Sequence, residues 1–247
     1  MTVLAFLGGI VLLVVGADLL VRGASRLSLS VGLSPLIVGL TVVSFGTSAP
    51  ELAVSLKAAF AGTTEMAFGN VVGSNICNVL LILGLAALAA PLEIAPAVLK
   101  RDLPALLALS LLTALLASDG RLGAVDGLVL LAGGLAHAVL SFRQERRGPE
   151  TAAAEAPLAA RRHGRLLDAL SILAGLALLV AGADLLVGAA VKFARAAGVS
   201  DLVVGLTVVA VGTSLPEIAA SVLASLRGAR DIAVGNVVGS NVLNLAI

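Results

Sequence analysis

Residues 46–51 read Gly-Thr-Ser-Ala-Pro-Glu and residues 212–217 read Gly-Thr-Ser-Leu-Pro-Glu, each an acid and a proline set in a long apolar run. Each is followed by Gly-Asn-Val-Val-Gly-Ser-Asn, at 69–75 and again at 235–241. Laying the chain on itself with an offset of 166 residues aligns 16–81 with 182–247 without a gap, and 34 of those 66 positions are identical. Apolar bias alone does not repeat glutamates, asparagines and prolines in register, so the chain contains an internal duplication.

The rest of the sequence says where this duplication sits. Of 247 residues, 59% are hydrophobic and 13% charged, and the mean hydropathy is +1.11, which excludes a water-soluble globule. Nucleic-acid binding is excluded too: 16 basic against 15 acidic residues leave no basic field, and six Phe with no Trp or Tyr leave little to stack on bases. The single Cys77 builds neither a disulfide framework nor a thiolate metal site. His137 and His163 stand apart from any nucleophile or phosphate loop, so no enzyme chemistry is indicated and no cofactor is expected.

Apolar runs broken by charge or turn residues fall near 3–21, 34–60, 69–90, 103–118, 122–142, 167–188, 200–226 and 233–247. At about 20 residues per crossing these read as eight membrane spans. The first is a retained span and not a leader, because its end, Gly-Ala-Asp-Leu-Leu-Val at 16–21, recurs at 182–187. The one hydrophilic stretch, 143–166, carries six arginines and reads as a cytoplasmic linker. With it inside, alternation places Arg22, Arg26, Lys100, Arg101, the linker arginines, Arg227 and Arg230 inside and only Lys57, Arg121, Lys192 and Arg195 outside. That bias predicts an N-terminus outside. Five spans separate equivalent points of the duplication, an odd number, so the copies cross in opposite senses. Inverted repeats recur in secondary transporters, with the ion site near the midplane. The chain thus reads as an all-α polytopic membrane protein: a first repeat over 1–142, the linker, and a second repeat over 167–247 that stops in its third helix.

The polar residues inside the spans carry the chemistry. An acid at membrane depth costs on the order of 2.5–3.5 kcal/mol, and both Glu51 and Glu217 lie there. Each is either a structural carboxylate, protonated or paired with a base, or a functional one. No intramembrane cation stands ready, since Lys57 lies six residues on and off the helical face of Glu51. Thr47 and Ser48 precede Glu51 by four and three positions, on the same helical face, as Thr213 and Ser214 precede Glu217. Pro50 and Pro216 should kink their helices and release the carbonyls of Gly46 and Gly212. Carboxylates, hydroxyls and carbonyls are hard ligands, suited to Ca²⁺ or Na⁺ over zinc or copper. Asn70, Ser74 and Asn78 follow at four-residue spacing, as do Asn236, Ser240 and Asn244. Ser74, Ser240, Asn78 and Asn244 serve either as ligands or as interhelical hydrogen-bonding groups beside the Gly69/Gly73 and Gly235/Gly239 packing faces. The remaining asparagines, Asn70, Asn75, Asn236 and Asn241, read mainly as packing or helix-stabilising residues. Asp18 and Asp184, near the predicted span ends, suit bonding to a loop or helix terminus.

With both motifs present twice, the chain resembles the cation/calcium exchanger superfamily, and within it the prokaryotic sodium/calcium antiporters. The resemblance implies ten transmembrane helices in two inverted halves of five, with Glu51 and Glu217 as central cation ligands. Thr47, Ser48, Thr213, Ser214, Ser74, Ser240, Asn78 and Asn244 match its other coordinating positions, and Ser44 and Ala210 match positions that offer backbone carbonyls. Members often carry aspartate where this chain has Asn244, so here the two glutamates are the only evident central charges. Carrying the end of the first repeat, residue 142, forward by the offset leads to an expected complete chain of roughly 308 residues. The function this implies is exchange of Ca²⁺ for Na⁺ across the inner or plasma membrane of a prokaryote, with those ions and the lipid bilayer as partners. A proton-coupled cation antiporter, a channel and a non-transporting scaffold are the alternatives.

Overall fold

The computed structural model describes residues 1–145, 164–200 and 210–246. Their regular structure is helical: α1 (Thr2–Val31), α2 (Pro35–Thr47), α3 (Ala49–Phe60), α4 (Thr64–Ala89), α5 (Val98–Asp119), α6 (Ala124–Glu145), α7 (Arg165–Ala196), α8 (Ala210–Thr213), α9 (Leu215–Leu226) and α10 (Arg230–Ala246). Each of the eight apolar runs meets a helix. Most of the linker lies outside the described residues, as do 201–209 at the head of the seventh run and Ile247. By length and composition α1, α4, α5, α6 and α7 can each cross a membrane, and α2 with α3 forms a sixth candidate, bent by 47°. Large apolar side chains such as Leu80, Leu111 and Val125 are more than 70% exposed. On a membrane bundle such surfaces face lipid, and the backbone behind them is satisfied within the helix.

Local sequence sets the breaks. Ser34 caps α2 by accepting from the Ile37 amide at 3.3 Å, with Pro35 preset for the first turn. The break between α2 and α3 falls at Ser48 (φ −82°, ψ 4°), and its repeat-mate Ser214 (φ −89°, ψ 6°) breaks α8 from α9. The bend therefore comes two residues before each proline, which sits in the first turn of the following helix. Such a ring cannot donate, and it pushes the preceding turn out of line. Wider π-turns interrupt α2 over Gly39–Val43 and α4 over Asn78–Ile82, beside the candidate ligands.

Two close helix contacts hold the bundle, the first antiparallel and the second parallel. Along α1 and α7, Gly9 faces Gly182 and Gly16 faces Gly175, so closely that a Cβ on any of the four would come within 2.7–2.9 Å of main-chain atoms of the other helix. The offset of 166 exchanges these two pairs, so they are symmetric. The third step of the seam is not: Gly23 packs on Asp168, which is buried and accepts from Arg26 Nε at 2.7 Å. Leu13, Ala17, Leu20 and Val21 of α1 and Leu179 of α7 then share an apolar core with Ala220 and Ala224 of α9. The second contact sets Gly235 and Gly239 of α10 against the main chain of α2 at Leu36 and Leu40. The small-residue packing face expected in the second repeat is therefore present, while residues 202 and 206, the counterparts of Leu36 and Leu40 under the offset, lie outside the described residues.

Asp18 differs from its expected place. The helix runs on to Val31, so Asp18 stands mid-helix, with Arg22 at 2.9 Å and Arg227, the residue capping the C-terminus of α9, at 2.5 Å. Asp184 is likewise inside α7, and exposed. Between α5 and α6, the buried Asp102 is gripped by Arg101 at 2.7 and 2.9 Å, with His137 at 3.4 Å and Ser141 at 3.3 Å.

Candidate functional site

The breaks at Ser48 and Ser214 turn their side chains toward the opposite repeat. Ser48 Oγ donates to Glu217 Oε1 at 2.9 Å, and Ser214 Oγ donates to Glu51 Oε1 at 3.1 Å. The two bonds are related by the 166-residue offset and bring both carboxylates into one buried centre, Glu51 at 3% and Glu217 at 1% exposure. Neither glutamate pairs with a basic side chain among the described residues. The second oxygens, Glu51 Oε2 and Glu217 Oε2, are buried and find no hydrogen-bond donor among the described residues. A buried carboxylate oxygen without a donor carries the full loss of its hydration.

The flanking residues follow the same logic. Thr47 Oγ1 donates to Asn236 Oδ1 at 3.0 Å, and Asn236 Nδ2 donates to Ser221 Oγ at 2.9 Å. In the first repeat Asn70 Nδ2 donates to Ser55 Oγ at 2.9 Å and to the Glu51 carbonyl at 3.1 Å. The packing role read for Asn70 and Asn236 fits these bonds, and Ser55 and Ser221, identical under the offset, went unremarked in the sequence. Asn78 Nδ2 donates to Asn241 Oδ1 at 2.9 Å, which leaves Asn78 Oδ1 buried without a donor. Ser240 Oγ and Asn244 Nδ2, one helical turn apart on α10, are also buried without partners. Ser44, buried on α2, donates to the Leu40 carbonyl, and its own carbonyl accepts from Ser48 N at 2.9 Å and Thr47 Oγ1 at 3.3 Å. Ser74 is buried on α4, Thr213 is half-buried at the end of α8, and Ala210 opens α8.

The structure thus links Thr47, Ser48, Glu51, Ser214 and Glu217 across the repeat boundary and buries Ser44, Ser74, Asn78, Ser240 and Asn244 on the helices that carry them. The donor set is two carboxylates with hydroxyl and amide oxygens, all hard, which matches a cation of the alkali or alkaline-earth kind. A cavity of about 690 Å³ lies to one side, lined by Ser44, Phe45, Leu131, His137, Leu176 and Gly239 among others. Its walls are almost wholly apolar and neither glutamate lines it, so it is a side crevice of the bundle, apart from the glutamate pair.

Known proteins resemble this chain in sequence and in fold. The family described as sodium/calcium exchanger protein matches residues 1–141 and 167–247. The chain is 41% identical over 244 residues to CaxA of Alkalimonas amylolytica, covering 96% of this chain and 75% of that one. It is 40% identical over 247 residues to the inner membrane protein YrbG of Escherichia coli (strain K12), covering 97% of this chain and 75% of YrbG. Among solved structures, the sodium-calcium exchanger NCX_Mj soaked with Na⁺ and Ca²⁺ superposes with a TM-score of 0.85 at 32% identity, over 99% of this chain and 79% of that one. The same exchanger soaked with Na⁺ and Sr²⁺ gives the same score and identity.

Proposed function

Because this chain belongs to the sodium/calcium exchanger family of integral, multi-pass cation antiporters, we propose that it exchanges Ca²⁺ for Na⁺ and holds the cations between Glu51 and Glu217. The observation that carries this reading is the pair of carboxylate oxygens, Glu51 Oε2 and Glu217 Oε2, buried with no hydrogen bond and no basic partner among the described residues. A bound cation compensates them. Two carboxylates supply a charge of about −2 for one Ca²⁺ with its 6–8 oxygen ligands, or for two Na⁺ on neighbouring subsites. Thr47, Ser48, Thr213, Ser214, Ser74, Ser240, Asn78, Asn244 and the carbonyls of Ser44 and Ala210 complete the shell in this reading. Occupancy by one ion excludes the other, which is the basis of exchange.

Coupling follows from electrostatics. Without a cation, two unpaired carboxylates would have to pass through an occluded, low-dielectric state at a cost of several kcal/mol, so the transporter reorients only when loaded. The glycine seam and the Arg26–Asp168 pair tie α1 to α7 as one body. This body slides across a core of α2, α3, α4, α9 and α10 and exposes the site to each side in turn. The halves are residues 1–142 and 167–247, joined by a cytoplasmic linker at 143–166, with the N-terminus outside in the inner or plasma membrane of a prokaryote. The chain is a transport protein and not an enzyme.

The test is uptake of ⁴⁵Ca²⁺ into proteoliposomes containing the full-length protein, driven by an outward Na⁺ gradient. Uptake should collapse with the Na⁺ gradient and in Glu51→Gln and Glu217→Gln. Undiminished uptake in both variants would rule out the assigned site. Flux that follows a pH gradient and ignores Na⁺ would replace Na⁺ by H⁺ as the coupling ion, since a proton also satisfies a buried carboxylate oxygen.

A further inference from the structure

An asparagine can serve a cation only with its oxygen end. Its other end is an NH₂ donor that repels positive charge, and a half-turn about the last side-chain bond exchanges the two. In a site closed to water something else must choose the orientation. Asn78, on α4, is 1% exposed. Its Nδ2 donates at 2.9 Å to Asn241 Oδ1, on α10 of the other repeat, and its Oδ1 is left buried with no donor. Asn241 is itself 1% exposed and meets Asn78 with its acceptor end.

We propose that Asn241 is a positioning residue: by accepting from Asn78 Nδ2 it holds the Asn78 amide with its oxygen toward the cation. The repeat supplies the contrast. Under the 166-residue offset the matching bond would run from Asn244 Nδ2 to Asn75 Oδ1, and both of those atoms are buried without a partner, because Asn75 Nδ2 is turned to the Val71 carbonyl at 2.9 Å. The Asn78 amide is therefore preset and the Asn244 amide is not. Identical residues in the two repeats serve the site unequally. Presetting a ligand removes an ordering penalty from binding, so Asn241 acts on affinity without touching the ion.

This inference rests on Asn78 being a cation ligand, and a double-mutant cycle separates the two ideas. Equilibrium ⁴⁵Ca²⁺ binding is measured on the full-length protein, native and carrying N241L, N78D, or both. Leucine has nearly the shape of asparagine and lacks the acceptor. Aspartate presents an oxygen whichever way it turns, so it needs no orienting partner. N241L is expected to raise the half-saturating Ca²⁺ concentration about tenfold in the native background and less than about twofold in the N78D background. Equal penalties in the two backgrounds, or no penalty in either, would overturn the positioning role while leaving the cation site standing. Loss of all Ca²⁺ binding by the native protein would overturn the site and this inference together. Should N241L not fold, N241D, which keeps the acceptor oxygen, is expected to bind at least as tightly as the native protein, and a tenfold weakening there would refute the proposal.

Discussion

Adding one methyl group at the α1–α7 seam should loosen the body on which the proposed alternating access depends, and the amount can be worked from distances. A Cβ on Gly16 would lie 2.8 Å from the Gly175 carbonyl oxygen, and one on Gly175 would lie 2.7 Å from the Gly16 carbonyl oxygen, against an ordinary contact of 3.4–4 Å. The obstacle is main chain on both sides, so no side chain can swing away, and the helices must part by roughly 0.6–1 Å. Overpacking of this kind costs about 1–3 kcal/mol, offset by up to ~1 kcal/mol from the better helix propensity of alanine. With a net cost of about 1–2 kcal/mol, Gly16→Ala and Gly175→Ala should each lower the melting temperature by roughly 2–8 °C at about 2–4 °C per kcal/mol for a chain of this size. The double variant should fall less than the sum of the two, since one separation relieves both clashes. Gly8→Ala, next to Gly9 but with nothing within 4 Å of its added Cβ, should melt at or above the native temperature. Melting can be followed with a thiol-reactive fluorophore, because Cys77 is the only cysteine and is half-buried. Seam variants that melt with the native protein, or a Gly8→Ala that falls as far, would refute backbone-to-backbone packing of α1 on α7.

Two other outcomes test the proposed ion centre and the seam. Ser48→Ala and Ser214→Ala each delete the hydroxyl that donates to the glutamate of the opposite repeat. A bond to a charged group contributes about 1.5–3 kcal/mol, so half-saturating Ca²⁺ should rise at least about tenfold in each, read by ⁴⁵Ca²⁺ binding. Arg26→Met strands the buried Asp168 and should destabilise the protein by about 3 kcal/mol in thermal melts, whereas Arg26→Met with Asp168→Asn should recover most of that loss. A double variant no better than the single would show that the charge pair is not what Asp168 requires.

Much of the candidate site was legible in the sequence, for reasons specific to membranes. An acid, a proline or an asparagine at membrane depth is too unfavourable to be incidental, so Glu51, Glu217 and their serines and threonines stood out against the apolar background. The duplication multiplied that signal, and the offset of 166 residues linked Ser48 to Ser214 before any fold was known. The proline kinks were anticipated, although the break falls at the preceding serine. Span ends were harder to see: α1 extends ten residues past the expected boundary, because Arg22 and Arg26 are neutralised by Asp18 and Asp168 and so remain within the helix.

What the sequence by itself determined is the set of apolar spans, their inverted duplication and the identity of the polar residues that must be compensated. Hydrophobicity and repetition are local or linear properties, readable one residue at a time. Tertiary structure alone decided which polar group meets which: Ser48 with the glutamate of the other repeat, Asn78 with Asn241, Asp18 with Arg227. Two repeats with nearly the same sequence would form the same bonds if symmetry were perfect. They do so at Ser48 and Ser214 and at Asn70 and Asn236, but not at Asn78 and Asn244, because each hydrogen bond depends on the side-chain orientation and on the neighbour that packing brings within reach, and neither can be read from a residue's type or its place in the chain.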